Sequence, residues 1–343
     1  MFTSIKKFGC SIALAAGLLS PLTSVAETMK EINFGIIATD AQQNLKQRWE
    51  PMLEDLSEEL GIKVNAYFAP DYAGIIQGMR FKKVDFAYFG NKSAMEAVDR
   101  ANAEIFARYI DEDGTQGYYS VLLVNSDNDD INTLQDVIDN RKELMLGNGE
   151  PNSTSGFLVP NYYAFAQNHI SANDFKRTIV ASHGANAMAV ANKQVDVATN
   201  HTMNLTRLEK SNPALFSKLK VVWQSDLIPS DVITWRKDIP ADIKSKARNF
   251  FLAYGEDNPQ QLDNLKLLAW SGFAPADNNQ LLPIRQMEAY KGLVETQDNP
   301  RLSDKVKKER IAQYQAELDS LASEIEALNV SQTSDMDSEQ AQG

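Results

Sequence analysis

Cysteine is almost missing from this chain of 343 residues: Cys10 is the only one. A single cysteine cannot form an internal disulfide. Because Cys10 falls in the leader described below, the remainder has no thiolate nucleophile and no cysteine metal ligand. Basic residues are also in deficit, with 34 Lys and Arg against 46 Asp and Glu and a net charge of −12. That balance argues against nucleic acid, which selects basic faces. It leaves room for a small anion, because a pocket can grip one with neutral donors and local dipoles beneath an acidic surface. Beyond the leader no apolar run is long enough to form a membrane helix. No repeat of solenoid or propeller period is evident. No Gly-Lys-Ser/Thr follows the one glycine-rich turn, so a Walker nucleotide site is absent.

What is present begins with a targeting signal. Lys6 and Lys7 precede an apolar run over residues 8–19, and Ser24-Val25-Ala26 places small residues at a cleavage site. This pattern predicts a signal peptide over residues 1–26, export to the periplasm, and a mature chain starting at Glu27. Cys10 lies before the apolar run, so it does not suit lipoprotein attachment. An exported chain without disulfides depends on a large apolar core, and one of about 300 residues is long enough for two domains.

The mature part alternates strand and helix patterns. Residues 33–37 read as a strand. Leu45, Trp49, Leu53, Leu56 and Leu60 share one helical face, and Gly61 is placed to end that helix. Ile62, Val64, Ala66 and Phe68 alternate as in a strand. Further helices are predicted over 71–82, 93–102 and 153–168, and further strands over 84–89, 119–124, 144–146, 177–181, 195–198, 219–223 and 232–236. The rhythm predicts open, mostly parallel sheets covered by helices. One sheet this long would be unusual. Two α/β lobes joined by two crossover strands fit better: 27–118 with 231–300 as the first lobe, and 119–230 as the second. Ligands in such sheets bind beyond the carboxyl ends of the strands, which places the site in the cleft between lobes.

The C-terminal part differs. Ile311, Tyr314, Leu318, Leu321, Ile325 and Leu328 follow a heptad spacing within a helix predicted over 301–330. Such a seam serves either packing on its own domain or a homodimer contact. Residues 331–343 are polar and acidic and read as a disordered tail.

The strongest local signal is Gly147-Asn148-Gly149-Glu150-Pro151-Asn152-Ser153-Thr154-Ser155-Gly156. A strand ends, glycines and a proline turn, and a helix begins. The free N–H groups and dipole of a helix start favour an anion. Ser153, Thr154 and Ser155 add three hydroxyl donors where a cap needs one. Tyr72 opens a helix of the first lobe, and Tyr118 and Tyr119 lie where the chain leaves that lobe; a phenol offers one donor and a flat apolar wall. Of the three histidines, His183 lies at a strand-to-helix junction facing the cleft. His169 and His201 read as solvated helix-end residues. Asp231 stands at the second crossover, able to accept a bond from a ligand or to cap a turn.

Four segments carry a family resemblance: residues 69–78 (Ala-Pro-Asp-Tyr-Ala-Gly-Ile-Ile-Gln-Gly), 89–94 (Phe-Gly-Asn-Lys-Ser-Ala), 151–157 (Pro-Asn-Ser-Thr-Ser-Gly-Phe) and 192–200 (Asn-Lys-Gln-Val-Asp-Val-Ala-Thr-Asn). In this order they resemble the periplasmic phosphonate-binding proteins of the PhnD type, receptors of ABC importers. The resemblance runs from about residue 33 to about residue 287 and thins in the C-terminal helix. It implies a type II periplasmic-binding-protein fold with a C-terminal helical extension, a phosphonate clamped between lobes, a membrane permease as partner, and no cofactor. It further implies that Ser153, Thr154 and Ser155 hold the phosphonate oxygens, that Tyr72, Tyr118 and His183 add donors, and that Asp231 meets the amino end of a ligand such as 2-aminoethylphosphonate. The pattern departs at Met203, where aminoethylphosphonate binders carry a Glu, and at Gly184, where an acid can also occur. Met203 cannot pair with an ammonium group.

Other readings of the same residues are a receptor for another oxyanion such as phosphite, phosphate or a phosphate ester, a ferric-ion receptor using Tyr118-Tyr119 with His183 and Asp231, and a hydrolase using Ser153 or Ser155 with His183 and Asp231. The last lacks a Gly-x-Ser-x-Gly elbow.

Overall fold

In a computed structural model the alternating pattern resolves into two sheets linked by a narrow hinge. The structure describes residues 29–340, with side chains through Asn329. The leader over residues 1–26, with Cys10, and residues 341–343 lie outside the described part. In chain order the first lobe contains β1 (Glu31–Ile36), α1 (Gln42–Leu60), β2 (Lys63–Phe68), α2 (Tyr72–Arg80), β3 (Phe86–Phe89), α3 (Asn91–Arg100) and β4 (Ala103–Asp111). Hinge strand β5 (Gly117–Tyr118) leads into the second lobe. That lobe contains β6 (Ser120–Asn125), α4 (Leu134–Asn140), β7 (Met145–Asn148), a helical stretch from Thr154, β8 (Arg177–Val180), α5 (His183–Ala191), β9 (Val197–His201), α6 (Thr202–Ser211), α7 (Pro213–Phe216) and β10 (Leu219–Gln224). Strand β11 (Ile228–Pro229) pairs antiparallel with β5 and returns the chain to β12 (Val232–Arg236), α8 (Ala241–Ala253), α9 (Pro259–Lys266), β13 (Trp270–Pro275), α10 (Leu282–Asp298) and α11 (Asp304–Gln340).

The first sheet runs β13-β4-β12-β3-β1-β2 and the second β10-β6-β9-β7-β8. Both are mixed, not mostly parallel. The hinge explains this. β12 enters its sheet from the cleft side, so it lies antiparallel to β3 and β4. β6 leaves the hinge in the opposite sense to β9. The remaining order aims the carboxyl ends of β1, β2 and β3 in one lobe, and of β7, β8 and β9 in the other, at the shared cleft.

Local chemistry accounts for the main elements. Leu45, Trp49, Met52, Leu53, Leu56 and Leu60 of α1 are buried on its sheet-facing side. Gly61 ends that helix at φ 64°, a left-handed conformation that costs glycine little. Asp71 caps α2 by accepting from Gly74 N at 2.8 Å. Fully buried Phe34, Phe86, Phe106 and Phe251 fill the first lobe, each stabilising by roughly 1.5–3 kcal/mol relative to exposure. A buried ion pair, Arg236 to Asp85 at 2.7 Å, ties β12 to the loop before β3, and Asp85 also accepts from Asn33 N at 2.8 Å. The predicted helix over 153–168 is broken. It has two π-helical segments, Thr154–Leu158 and Asn161–Phe165, and a short 3₁₀ turn, with Pro160 between the π segments removing one N–H from the ladder.

The heptad seam is used within the chain. Helix α11 lies along α10, with the Tyr314 ring seated over Gly292, and Leu321 is buried. The apolar side of the seam thus has a partner in its own chain, and the packing it makes gives no support to the dimer contact. The backbone stays helical to Gln340, through the segment from residue 331 expected to be disordered. Among the described residues no helix is long and apolar enough to cross a membrane.

Candidate functional site

The site is built from the turn after β7. Gly149 N donates to Gly156 O at 2.9 Å, closing the loop on itself. A Cβ at Gly149 would meet the Gly156 backbone at 2.4 Å, so no other residue fits there without moving the loop. Within it the Ser153 hydroxyl accepts from Gly156 N at 3.0 Å, capping the helical stretch. Capping and ligand binding are compatible, because a hydroxyl that accepts one bond keeps its own O–H to donate. The next residue bridges the lobes: Thr154 Oγ1 accepts from Lys92 N at the start of α3, at 2.9 Å. Ser120 Oγ donates to Ser155 O at 2.7 Å and anchors the third member from β6. Ser153, Thr154 and Ser155 are 3 %, 1 % and 3 % exposed, so the lobes are closed over them.

The walls come from both lobes. The cavity is about 30 Å³, room for roughly two or three water-sized groups. It is lined by all seven residues singled out in the sequence as ligand-binding, Tyr72, Tyr118, Ser153, Thr154, Ser155, His183 and Asp231. Four helical starts converge on it: α2 at Tyr72, α3 after Gly90, the stretch at Thr154 and α5 at His183. Each adds free N–H groups and a positive dipole end. Trp49, Tyr88 and Trp270 form the floor. Trp49 packs on Tyr88 at 5.1 Å, and Trp270 stacks on Tyr109 at 4.8 Å, so the floor is rigid.

Electrostatics divide the cavity. Ser153 Oγ lies 3.3 Å from His183 Nε2. Burial pushes His183 down to about 3, and the Arg207 guanidinium adds to the effect. His201, which packs edge-on to His183 at 4.3 Å, is lowered by burial, then by His183 and Arg207. Both rings are therefore neutral at neutral pH. Asp231 lies opposite. Its two carboxylate oxygens accept from Tyr118 at 2.6 Å and Tyr88 at 2.8 Å. Burial lifts Asp231 to about 6 against the pull of those phenols and of Arg207. Burial is likewise the first cause that raises Tyr72, Tyr88 and Tyr118, keeping the phenols protonated as donors.

Two positions named from the sequence stand away from the cavity lining. Met203 is buried on α6, and its sulfur accepts from the Tyr109 hydroxyl at 2.6 Å, behind the floor. Gly184 faces Asp40 of the first lobe, whose Oδ1 a Cβ would meet at 2.9 Å. His201 is a correction: it is 6 % exposed and lines the cavity, because it ends β9 at the cleft. His169 is exposed beside Asp298. Tyr88, Arg48 and Arg207 line the cavity and were not singled out. A signal existed for Arg207, which lies one turn after Met203 on the same face of α6.

A family model described as "ABC transporter, phosphonate, periplasmic substrate-binding protein" matches residues 34–281. The chain is 54 % identical over 304 residues to the phosphonates-binding periplasmic protein of Escherichia coli strain K12, covering 89 % of each chain. Among solved structures it is similar to a binding protein component of an ABC phosphonate transporter from Pseudomonas aeruginosa, at 49 % identity and a TM-score of 0.84, covering 87 % of this chain and 99 % of that one. A protein from Prochlorococcus marinus solved in complex with methylphosphonate shares the fold at 22 % identity and a TM-score of 0.68, over 75 % of this chain and 97 % of that one.

Proposed function

The chain belongs to the periplasmic substrate-binding proteins of phosphonate ABC transporters, and from this we infer that its cleft captures a phosphonate and presents it to a membrane permease. The fold is the two-lobed type II arrangement of that family. One observation carries the reading of the site: hydroxyls and helix starts from both lobes converge on one small closed cavity. In the cycle we propose, the open lobes admit the anion onto Ser153, Thr154 and Ser155. Closure about β5 and β11 then brings Tyr72 and Tyr118 onto its other side. Each charge-assisted bond contributes about 1.5–3 kcal/mol. Four or five offset ordering costs and give about −8 kcal/mol, micromolar affinity or better. The closed surface is what the permease would read.

The competing chemistries find less support. A hydrolase would need an acid to orient His183, yet His183 Nδ1 is buried with no hydrogen-bond partner, and Asp231 is engaged by two phenols. A ferric site would need both members of the tyrosine pair. Tyr118 lines the cavity and Tyr119 does not, because successive residues of an extended chain point to opposite sides.

The test is calorimetry of the mature chain against methylphosphonate, 2-aminoethylphosphonate, phosphite, phosphate and sulfate. A phosphonate is expected to bind at micromolar concentration or below. Binding of phosphite or phosphate alone would reassign the ligand, and no binding to any phosphorus oxyanion would overturn the reading.

A further inference from the structure

A second, outer cavity of about 340 Å³ adjoins the first at the mouth between the lobes. The two share Arg48 of α1 and Arg207 of α6, one from each lobe. Arg48 is already paired with Asp40. Arg207 is different: its Nε is sealed from solvent and donates no hydrogen bond. The other cations around the outer cavity, Lys210 and Lys266, are engaged by Glu112 and Asp263. An arm on a phosphonate seated in the inner cavity reaches the outer one past Arg48 and Arg207, which line both. An ammonium arm finds little there. Asp231 gives both oxygens to phenols, and Asp40, the one carboxylate lining the outer cavity, is held by Arg48.

Building on the phosphonate reading of the inner cavity, we propose that this receptor selects phosphonates whose arm ends in a second acidic group, a carboxylate being the simplest, with Arg207 as the specificity-determining residue. A planar guanidinium matches a carboxylate with two parallel N–H donors. A buried donor left without a partner penalises any ligand that cannot supply one. Like charge at the same place acts against an amine.

The test uses ligands that share the head and differ in the arm: methylphosphonate, 2-aminoethylphosphonate and 3-phosphonopropionate, titrated calorimetrically into the mature wild-type chain and into Arg207→Gln. 3-Phosphonopropionate is expected to bind wild type roughly ten to one hundred times more tightly than 2-aminoethylphosphonate, the factor one charge-assisted pair gives. Arg207→Gln should narrow that ratio to within about threefold. A wild-type preference for the amine, or equal affinities, overturns the proposal while leaving the phosphonate reading intact. So does an Arg207→Gln variant that weakens all three ligands by the same factor, which would place Arg207 on the phosphonate head. Failure of all three to bind would sink both readings. The wild-type comparison decides the matter even if the variant does not fold.

Discussion

Replacing Asp231 by Asn tests the electrostatics of the cleft without ligand. Asp231 is 8 % exposed, and burial lifts its carboxyl from 3.8 to about 6. The folded chain therefore binds this proton more tightly than the unfolded chain. A raised acid contributes its full stability below the unfolded value of 3.8 and loses it as pH rises through about 6. The gap is worth about 3 kcal/mol at 1.36 kcal/mol per pH unit. Asn keeps the shape and carries no charge, so it escapes that loss. Its amide gives up about 1 kcal/mol where the Tyr118 and Tyr88 phenols met a carboxylate. Ligand-free Asp231→Asn should thus be more stable than wild type by about 2 kcal/mol near pH 8, and the gain should vanish toward pH 4. Urea unfolding of both proteins across that range reads the difference directly. A gap that does not change with pH would refute the reasoning, because it would mean that Asp231 titrates alike in the folded and unfolded chains.

Thr154→Val removes a hydroxyl of the cavity and the bridge to Lys92, and phosphonate affinity by calorimetry should fall roughly ten- to one-hundredfold. Gly149→Ala forces a Cβ to within 2.4 Å of the Gly156 backbone; thermal unfolding should show a loss of about 1–3 kcal/mol, and ligand binding should weaken with it. Asp85→Ala removes one of the two carboxylates on the buried Arg236, which keeps Asp238 at 2.8 Å, so urea unfolding should show a loss of about 1–3 kcal/mol while the folded fraction keeps its ligand affinity within about twofold. Leu321→Asp should destabilise the chain by about 2 kcal/mol or more without changing its elution in gel filtration; a change from dimer to monomer would show that the seam serves two chains.

What could be read from the sequence followed its local signals. Strands β1 and β2 and helix α1 show clean periodicity, and Asp71 and Gly61 punctuate them. β4 was missed because it lies inside its sheet, where Phe106, buried between Ile105 and Ala107, interrupts the alternation of the strand. β13 contains Gly272 and Pro275, which read as a turn; an edge position tolerates them. The seven cleft residues were legible for the opposite reason: most follow the carboxyl end of a strand, where turn chemistry marks the chain. Tyr88 and Arg207 leave no such mark. Tyr88 meets Asp231 across 143 residues of chain, and Arg207 meets Arg48 only where one lobe closes on the other. The part of the site proposed to grip an anion is thus centred on one contiguous turn. The part proposed to choose what the anion carries is assembled from distant residues on facing lobes, so a substitution at Arg207 would change the ligand while every local signal of the fold is preserved.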